Sequence, residues 1–106
     1  MTDLERDVLR MTGHEQLTPA DRRFVEYHER NPVVYGILRD LTREALAAGM
    51  KVGIRMIWEN ARWRLHFETD DAAFKLNNVH HSRYARLLML READLEGAFR
   101  LREVRG

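Results

Sequence analysis

Ile54-Arg-Met-Ile-Trp-Glu-Asn-Ala-Arg-Trp-Arg-Leu-His-Phe67 decides how the chain is read, because its apolar residues recur at helical spacing on two opposed sides. At about 100° per residue, Ile54, Trp58, Ala61 and Leu65 share one face and Met56, Trp63 and Phe67 the other. A helix apolar on both sides is sandwiched between neighbours, so this segment is expected to be the central helix. Trp58, Trp63, Met56 and Phe67 are then core or interface residues. Between the two faces runs a charged stripe of Arg55, Glu59, Arg62 and His66, the one side able to reach water.

Upstream, the helix signals are strong. Thr2-Asp-Leu-Glu5 has capping-box spacing, and Leu4, Val8 and Met11 follow on one face before Gly13, so a short opening helix is expected. Such a short helix is marginal alone, and residues 1–17 are read as a loosely docked N-terminal element. Thr18-Pro19 opens a second helix to about Arg30, with Ala20, Phe24 and Tyr27 inward. Asn31-Pro32 ends it and starts a third, Val33 to Ala48, with a seam of Val34, Leu38, Leu41, Ala45 and Ala48 and Gly49 as its stop. Met50-Lys-Val-Gly53 is a link that also fits a minimal strand.

Downstream, Glu68-Thr-Asp-Asp71 is a turn-rich connector, and Asn77 or Asn78 is expected to cap the next helix. That helix starts at Val79 or Ser82 and runs to Glu92, with Tyr84, Ala85, Leu87 and Leu88 inward. Asp94 then caps a last helical turn, and residues 100–106 are a tail of alternating polarity. The expected fold is a mainly α single domain, residues 1–106, of about five helices around the Trp-rich one. A winged-helix order with a minimal two-stranded wing is its variant.

Composition narrows the class. With 44% hydrophobic and 33% charged residues the chain is globular rather than disordered, and without cysteine it forms neither disulfides nor thiolate metal sites. It opens with no signal-like apolar run and has no stretch of transmembrane length, so a cytoplasmic location and no membrane partner are expected. The net charge of +1 divides unevenly: residues 1–50 carry −2, residues 51–91 carry +4 and residues 92–106 carry −1. Sixteen of the eighteen basic residues are Arg, which suits bidentate contact with phosphate or carboxylate. Charged surfaces of small domains and Arg-rich coding give the same count without a ligand.

Catalysis finds little in the sequence. No Gly-x-Ser-x-Gly element presents a serine, no Gly-rich loop cradles a phosphate, and no His-Glu-x-x-His spacing is present. His80-His81, near Asp70-Asp71, point about 100° apart on a helix and fit surface residues better than ligands. No enzyme activity, cofactor or metal is expected. Nucleic acid is the better reading: Arg83 and Arg86 share a face at i, i+3, and Asn77, Asn78 and His80 lie near the start of their helix. With Arg62, Arg64 and Lys75 they form the expected contact set. Against it, residues 67–79 make a link much longer than a helix-turn-helix turn, and Arg83 and Arg86 could equally pair with acids. The other reading is a protein-interaction module, since Trp, Tyr, Met and Arg are enriched at interfaces and one face of the central helix could take a host protein or a second copy.

Three strings carry a resemblance: Gly53-Ile-x-Met-x-Trp-Glu-x-x-Arg-Trp63, Phe74-Lys-Leu-Asn-Asn78 and Ser82-Arg-Tyr-Ala-Arg-Leu-Leu-Met89. Over roughly the C-terminal two-thirds, the chain resembles a group of short proteins scattered through bacterial and phage genomes. It departs from them at Val79-His80-His81, where a third Asn or an aromatic residue and Thr are expected. The resemblance implies a phage or mobile-element setting and an accessory role, and brings no activity with it. The expected function is thus a small phage- or prophage-type DNA-binding or regulatory protein, with the module that binds a host protein as the alternative.

Overall fold

The computed structural model describes residues 1–68 and 78–100, with the side chains of residues 66–68 and 78 excepted. These residues form five α-helices: α1 (Asp3–Thr12), α2 (Pro19–Arg30), α3 (Pro32–Ala47), α4 (Ile54–Glu68) and α5 (His81–Arg91), with 3-10 turns at Asn78–His80 and Ala93–Leu95. No strand occurs among them. Lys51-Val52-Gly53 is irregular, so the upstream half of the expected wing is absent, and the downstream half, residues 101–106, lies outside the described residues.

Local signals placed the boundaries. Thr2 Oγ1 accepts from the Glu5 N–H at 3.1 Å while Glu5 Oε1 accepts from the Thr2 N–H at 3.0 Å, a complete capping box. Thr18 and Asp21 repeat it at the head of α2, where Pro19 supplies a preset φ and has no N–H to waste. At the other end, the second N–H-deficient residue, Pro32, starts α3 directly after α2, with the break absorbed by Asn31. Gly49 closes α3 at φ 75°: its N–H donates to Leu46 O and the Met50 N–H to Ala45 O, both at 3.0 Å. This pairing of the last carbonyls needs the left-handed conformation that glycine takes without steric cost.

The hub is α5, not α4. Tyr84, Ala85, Leu87 and Leu88 are buried along it, and it packs on α1, α3, α4 and both 3-10 turns. Helix α4 buries Ile57, Trp58, Ala61 and Leu65 but leaves Met56 half-buried and Trp63 exposed, so among the described residues its second face is not enclosed. The reason is position: α4 packs on α3 and α5, which cover one side of it. Phe67, the third residue of the second apolar face, has its side chain outside the description. Aromatic rings fill the centre, with Phe24 edge-on to Tyr84 at 4.8 Å and Trp58 tilted against Tyr84 at 5.8 Å between centroids. Helix α1 joins this core through Leu4 and Val8.

Ion pairs then tie helix to helix. Arg91 on α5 reaches Asp7 on α1 at 2.7 Å, and Arg43 on α3 grips both oxygens of Asp94 at 2.8 and 3.0 Å. Asp94 therefore sits within its turn as an ion-pair partner, and the expected cap is not made; Glu92 holds the cap position without a side-chain bond. Likewise the N-cap position of α5 is His80 with no side-chain cap, while Asn77 and the side chain of Asn78, the expected caps, lie outside the described residues.

The two tryptophans should separate in a denaturation experiment. Trp58 is 1% exposed and Trp63 63% exposed. Trp58→Ala is expected to lower stability by about 3–5 kcal/mol as a large-to-small core change, whereas Trp63→Ala should stay within about 0.5 kcal/mol. Urea unfolding followed by circular dichroism measures both, and equal losses would contradict the one-sided packing of α4.

Candidate functional site

The carboxylate of Asp21, at 0% exposure, is met by donors from three segments among the described residues. As the third residue of α2 it accepts from the Thr18 N–H through Oδ2 at 3.0 Å and donates its own N–H to Thr18 Oγ1 at 3.1 Å. Its remaining lone pairs take long-range donors. His14 Nδ1 donates to Oδ2 at 2.7 Å, and Arg83 donates to Oδ1 through Nε at 3.1 Å and a terminal nitrogen at 3.0 Å. Burial alone would push this carboxyl up, but the bonds from Thr18, His14 and Arg83 outweigh it and hold it below its ordinary value. A charge can be buried here because every side of it is answered.

That arrangement redistributes the expected nucleic-acid contact set. Arg83 is 5% exposed and turned to Asp21. Arg86 is half-buried and donates to Met11 O at 3.3 Å, joining α5 to the end of α1. His80 is buried against Phe24 and Tyr27. What remains exposed is Arg62, Trp63 and Arg64, successive residues about 100° apart around α4, with Arg55 two turns earlier. Arg62 lies 3.8 Å from Glu59 and Arg64 3.7 Å from Glu44, loose exposed pairs that hold little. Lys75 and Asn77 fall outside the described residues, as does the side chain of Asn78.

A second feature, which the sequence did not suggest, is a cleft of about 430 Å³ between α2 and the Asn78–His80 turn, lined by Arg23, Glu26, Tyr27, Arg30, Asn31 and His80. Arg23, Tyr27 and Arg30 recur at i, i+4 and i+7 on one side of α2; with Tyr27 read as a core residue, that spacing carried no functional meaning. Tyr27 and His80 stack obliquely at 4.5 Å between ring centroids, and Arg30 pairs with Glu26 at 2.6 Å. Asn31 is fixed by donating through Nδ2 to Tyr27 O at 2.9 Å.

Three imidazoles are kept neutral around this region. Burial, then the nearby Arg83 and Arg23, push His80 down to about 4. Burial and Arg91 lower His28, whose Nδ1 hydrogen-bonds the Tyr84 hydroxyl at 3.2 Å, and burial and Arg55 lower His81. Among the described residues no three His, Asp or Glu side chains converge as a metal site would require. None of the described helices is long and apolar enough to cross a membrane. Comparison of the chain with protein families, with curated proteins and with solved structures finds no match.

Two outcomes follow from the buried groups. Arg83→Ala leaves the Asp21 carboxylate inside without its main counter-charge, and such a loss costs about 3–5 kcal/mol; a change within about 0.5 kcal/mol, the figure for an exposed arginine, would show the pair to be unimportant. The second is a pH effect. An unfolded imidazole takes its proton near 6.5 whereas folded His80 waits until about 4, so in that window the unfolded chain binds more protons and stability falls as pH falls. At about 1.4 kcal/mol per unit the loss is on the order of 3 kcal/mol, with His28 and His81 adding in the same direction. Thermal midpoints at pH 7 and pH 4.5 measure it, and His80→Gln should flatten the difference.

Proposed function

We propose that this chain is a small, non-enzymatic nucleic-acid-binding protein of a phage or mobile-element setting, and that its contact face is the outer side of α4. The observation that carries the reading is the 63% exposure of Trp63 between the exposed Arg62 and Arg64. An indole turned to water offers a flat apolar surface on which unstacked bases pack, at about 1–3 kcal/mol per base, and guanidinium groups beside it answer the phosphates. Duplex grooves have less use for such a ring, so a single strand is the better substrate. Arg55 extends the basic face toward the start of α4, and Lys75, Asn77 and Asn78 remain in the contact set on sequence grounds. Arg83 and Arg86 leave it, since their described bonds run inward.

The same Trp and Arg composition also supports the alternative, a module that docks on a protein, because these residue types dominate interface hot spots. Salt separates the two. Phosphate contacts release counterions, so affinity for a single strand should fall steeply between about 50 and 200 mM salt, with the slope reduced by roughly one for each arginine removed. Titration of a fluorescently labelled single-stranded oligonucleotide is expected to show this in the wild type, a shallower slope in Arg62→Ala/Arg64→Ala, and weaker binding at all salts in Trp63→Ala. No binding to DNA or RNA strands at about 50 mM salt would end the nucleic-acid reading in favour of the protein partner.

A further inference from the structure

We propose that the cleft between α2 and the Asn78–His80 turn is a nucleotide site, taking a phosphate at the Arg23 end with the attached base against Tyr27. It is separate from the α4 face and does not rest on it. Its volume of about 430 Å³ is in the range of small-molecule sites and far beyond that of a single water.

Charge selects the ligand's sign. Of the lining residues, Arg23 and Arg30 are cations and Glu26 an anion, which leaves one net positive charge with His80 neutral. The pairing of Glu26 with Arg30 at 2.6 Å concentrates that surplus on Arg23. Among the described residues Arg23 makes no ion pair or hydrogen bond, and its field is felt at His80. An anion in the cleft therefore meets one uncommitted guanidinium.

His80 gives the second pointer. Only 6% of it is exposed, it borders the cleft, and among the described residues its ring nitrogens make no hydrogen bond. Its ring nitrogens are not sealed in the core without a partner, and so stay accessible to a ligand in the cleft. A neutral imidazole beside Arg23 supplies one N–H to a phosphate oxygen without adding a charge that burial would penalise. Two donors of different kind, Arg23 and His80, then line the same cleft.

The wall selects the rest of the ligand. Arg23 and Arg30 lie two turns apart, about 10 Å along α2, with Tyr27 between them. The Tyr27 ring is braced by His80 at 4.5 Å, and its backbone carbonyl is tied by both donors of Asn31. A flat partner is thus offered a fixed ring, while Glu26 accepts from hydroxyl or amino groups beside it. Phosphate, hydroxyls and a planar base in that order describe a nucleotide, free or as one unit of a strand.

Chemical-shift titration of the full-length protein tests this with adenosine 5′-monophosphate, ribose 5-phosphate, inorganic phosphate and a short single-stranded oligonucleotide. Expected for the three small ligands are shifts confined to α2 and residues 78–81, with tightest binding for the one carrying both base and phosphate and an affinity loss of about tenfold in Arg23→Ala, an exposed site that leaves the fold intact; for the oligonucleotide, binding is read at Tyr27 and His80 in the Trp63→Ala protein. Bound phosphate should also raise the pH at which the His80 ring titrates, because it offsets the Arg23 charge. Trp63→Ala should bind adenosine monophosphate as the wild type does, which keeps this site distinct from the α4 face. Preference for the oligonucleotide over the monophosphate would assign the site to a strand, and the reverse to a free nucleotide. Absence of shifts at Tyr27 and His80 in about 10 mM ligand, or unchanged affinity in Arg23→Ala, overturns the proposal.

Discussion

The ion pair of Asp21 with Arg83 sets how the remaining helices can be arranged. The aspartate belongs to the first turn of α2 and the arginine to the first turn of α5, while His14, on the same carboxylate, belongs to the connection from α1. One buried anion thus fixes three segments that sequence separates by up to 69 positions, from His14 to Arg83. With Arg83 turned inward, the helical repeat carries Tyr84, Leu87 and Leu88 into the centre and Arg86 to the end of α1. Arg91, near the far end of α5, completes the attachment at Asp7. A ten-residue α1 is too short to persist alone, and this line of contacts along α5 is what docks it.

The core around that pair is unusual in the number of polar rings it accommodates. His28, His80 and Tyr84 pack with Phe24 and Tyr27, and His81 meets Trp58 edge-on at 6.3 Å. Each imidazole lies near an arginine, Arg91, Arg83 with Arg23, or Arg55, so burial and like charge act together against protonation. Neutral imidazoles behave as flat, slightly polar aromatic groups, which is why they can line a core and still present nitrogen atoms at its edge. The Tyr84 hydroxyl shares this logic, since deep burial raises it far above the ordinary phenol range and keeps it a neutral partner for His28.

Helix ends were legible in the sequence because the signals are local. Thr2, Thr18, Pro19, Pro32 and Gly49 act on backbone groups within five residues, and each stands where it was expected. Which side of a helix is buried was legible only where neighbours exist on one side: the stripe Trp58, Ala61, Leu65 is in the core, but on the second face Met56 is only half-buried against the core and Trp63 lies outward. Periodicity reports residue type and not what packs against it. The fate of the arginines was the least legible. Arg83 and Arg62 look alike in sequence, and the difference is an aspartate 62 positions away from one of them. Asp21 itself was passed over, since a capping-box residue normally faces water.

These partners change what the charge distribution means for function. The excess of +4 in residues 51–91 included Arg83, Arg86 and Arg91, yet Arg83 and Arg91 neutralise Asp21 and Asp7 of the acidic N-terminal half, and Arg86 bonds a backbone carbonyl. Part of the apparent basic patch is therefore internal bracing between the two halves of the chain. Among the exposed cations of the described elements, two groups share a helix with an aromatic ring: Arg55, Arg62 and Arg64 with Trp63, and Arg23 and Arg30 with Tyr27. Both combine guanidinium groups with an aromatic ring on a rigid helix. Repetition of that pairing, rather than total charge, is the feature on which the proposed binding of phosphate joined to a planar base rests.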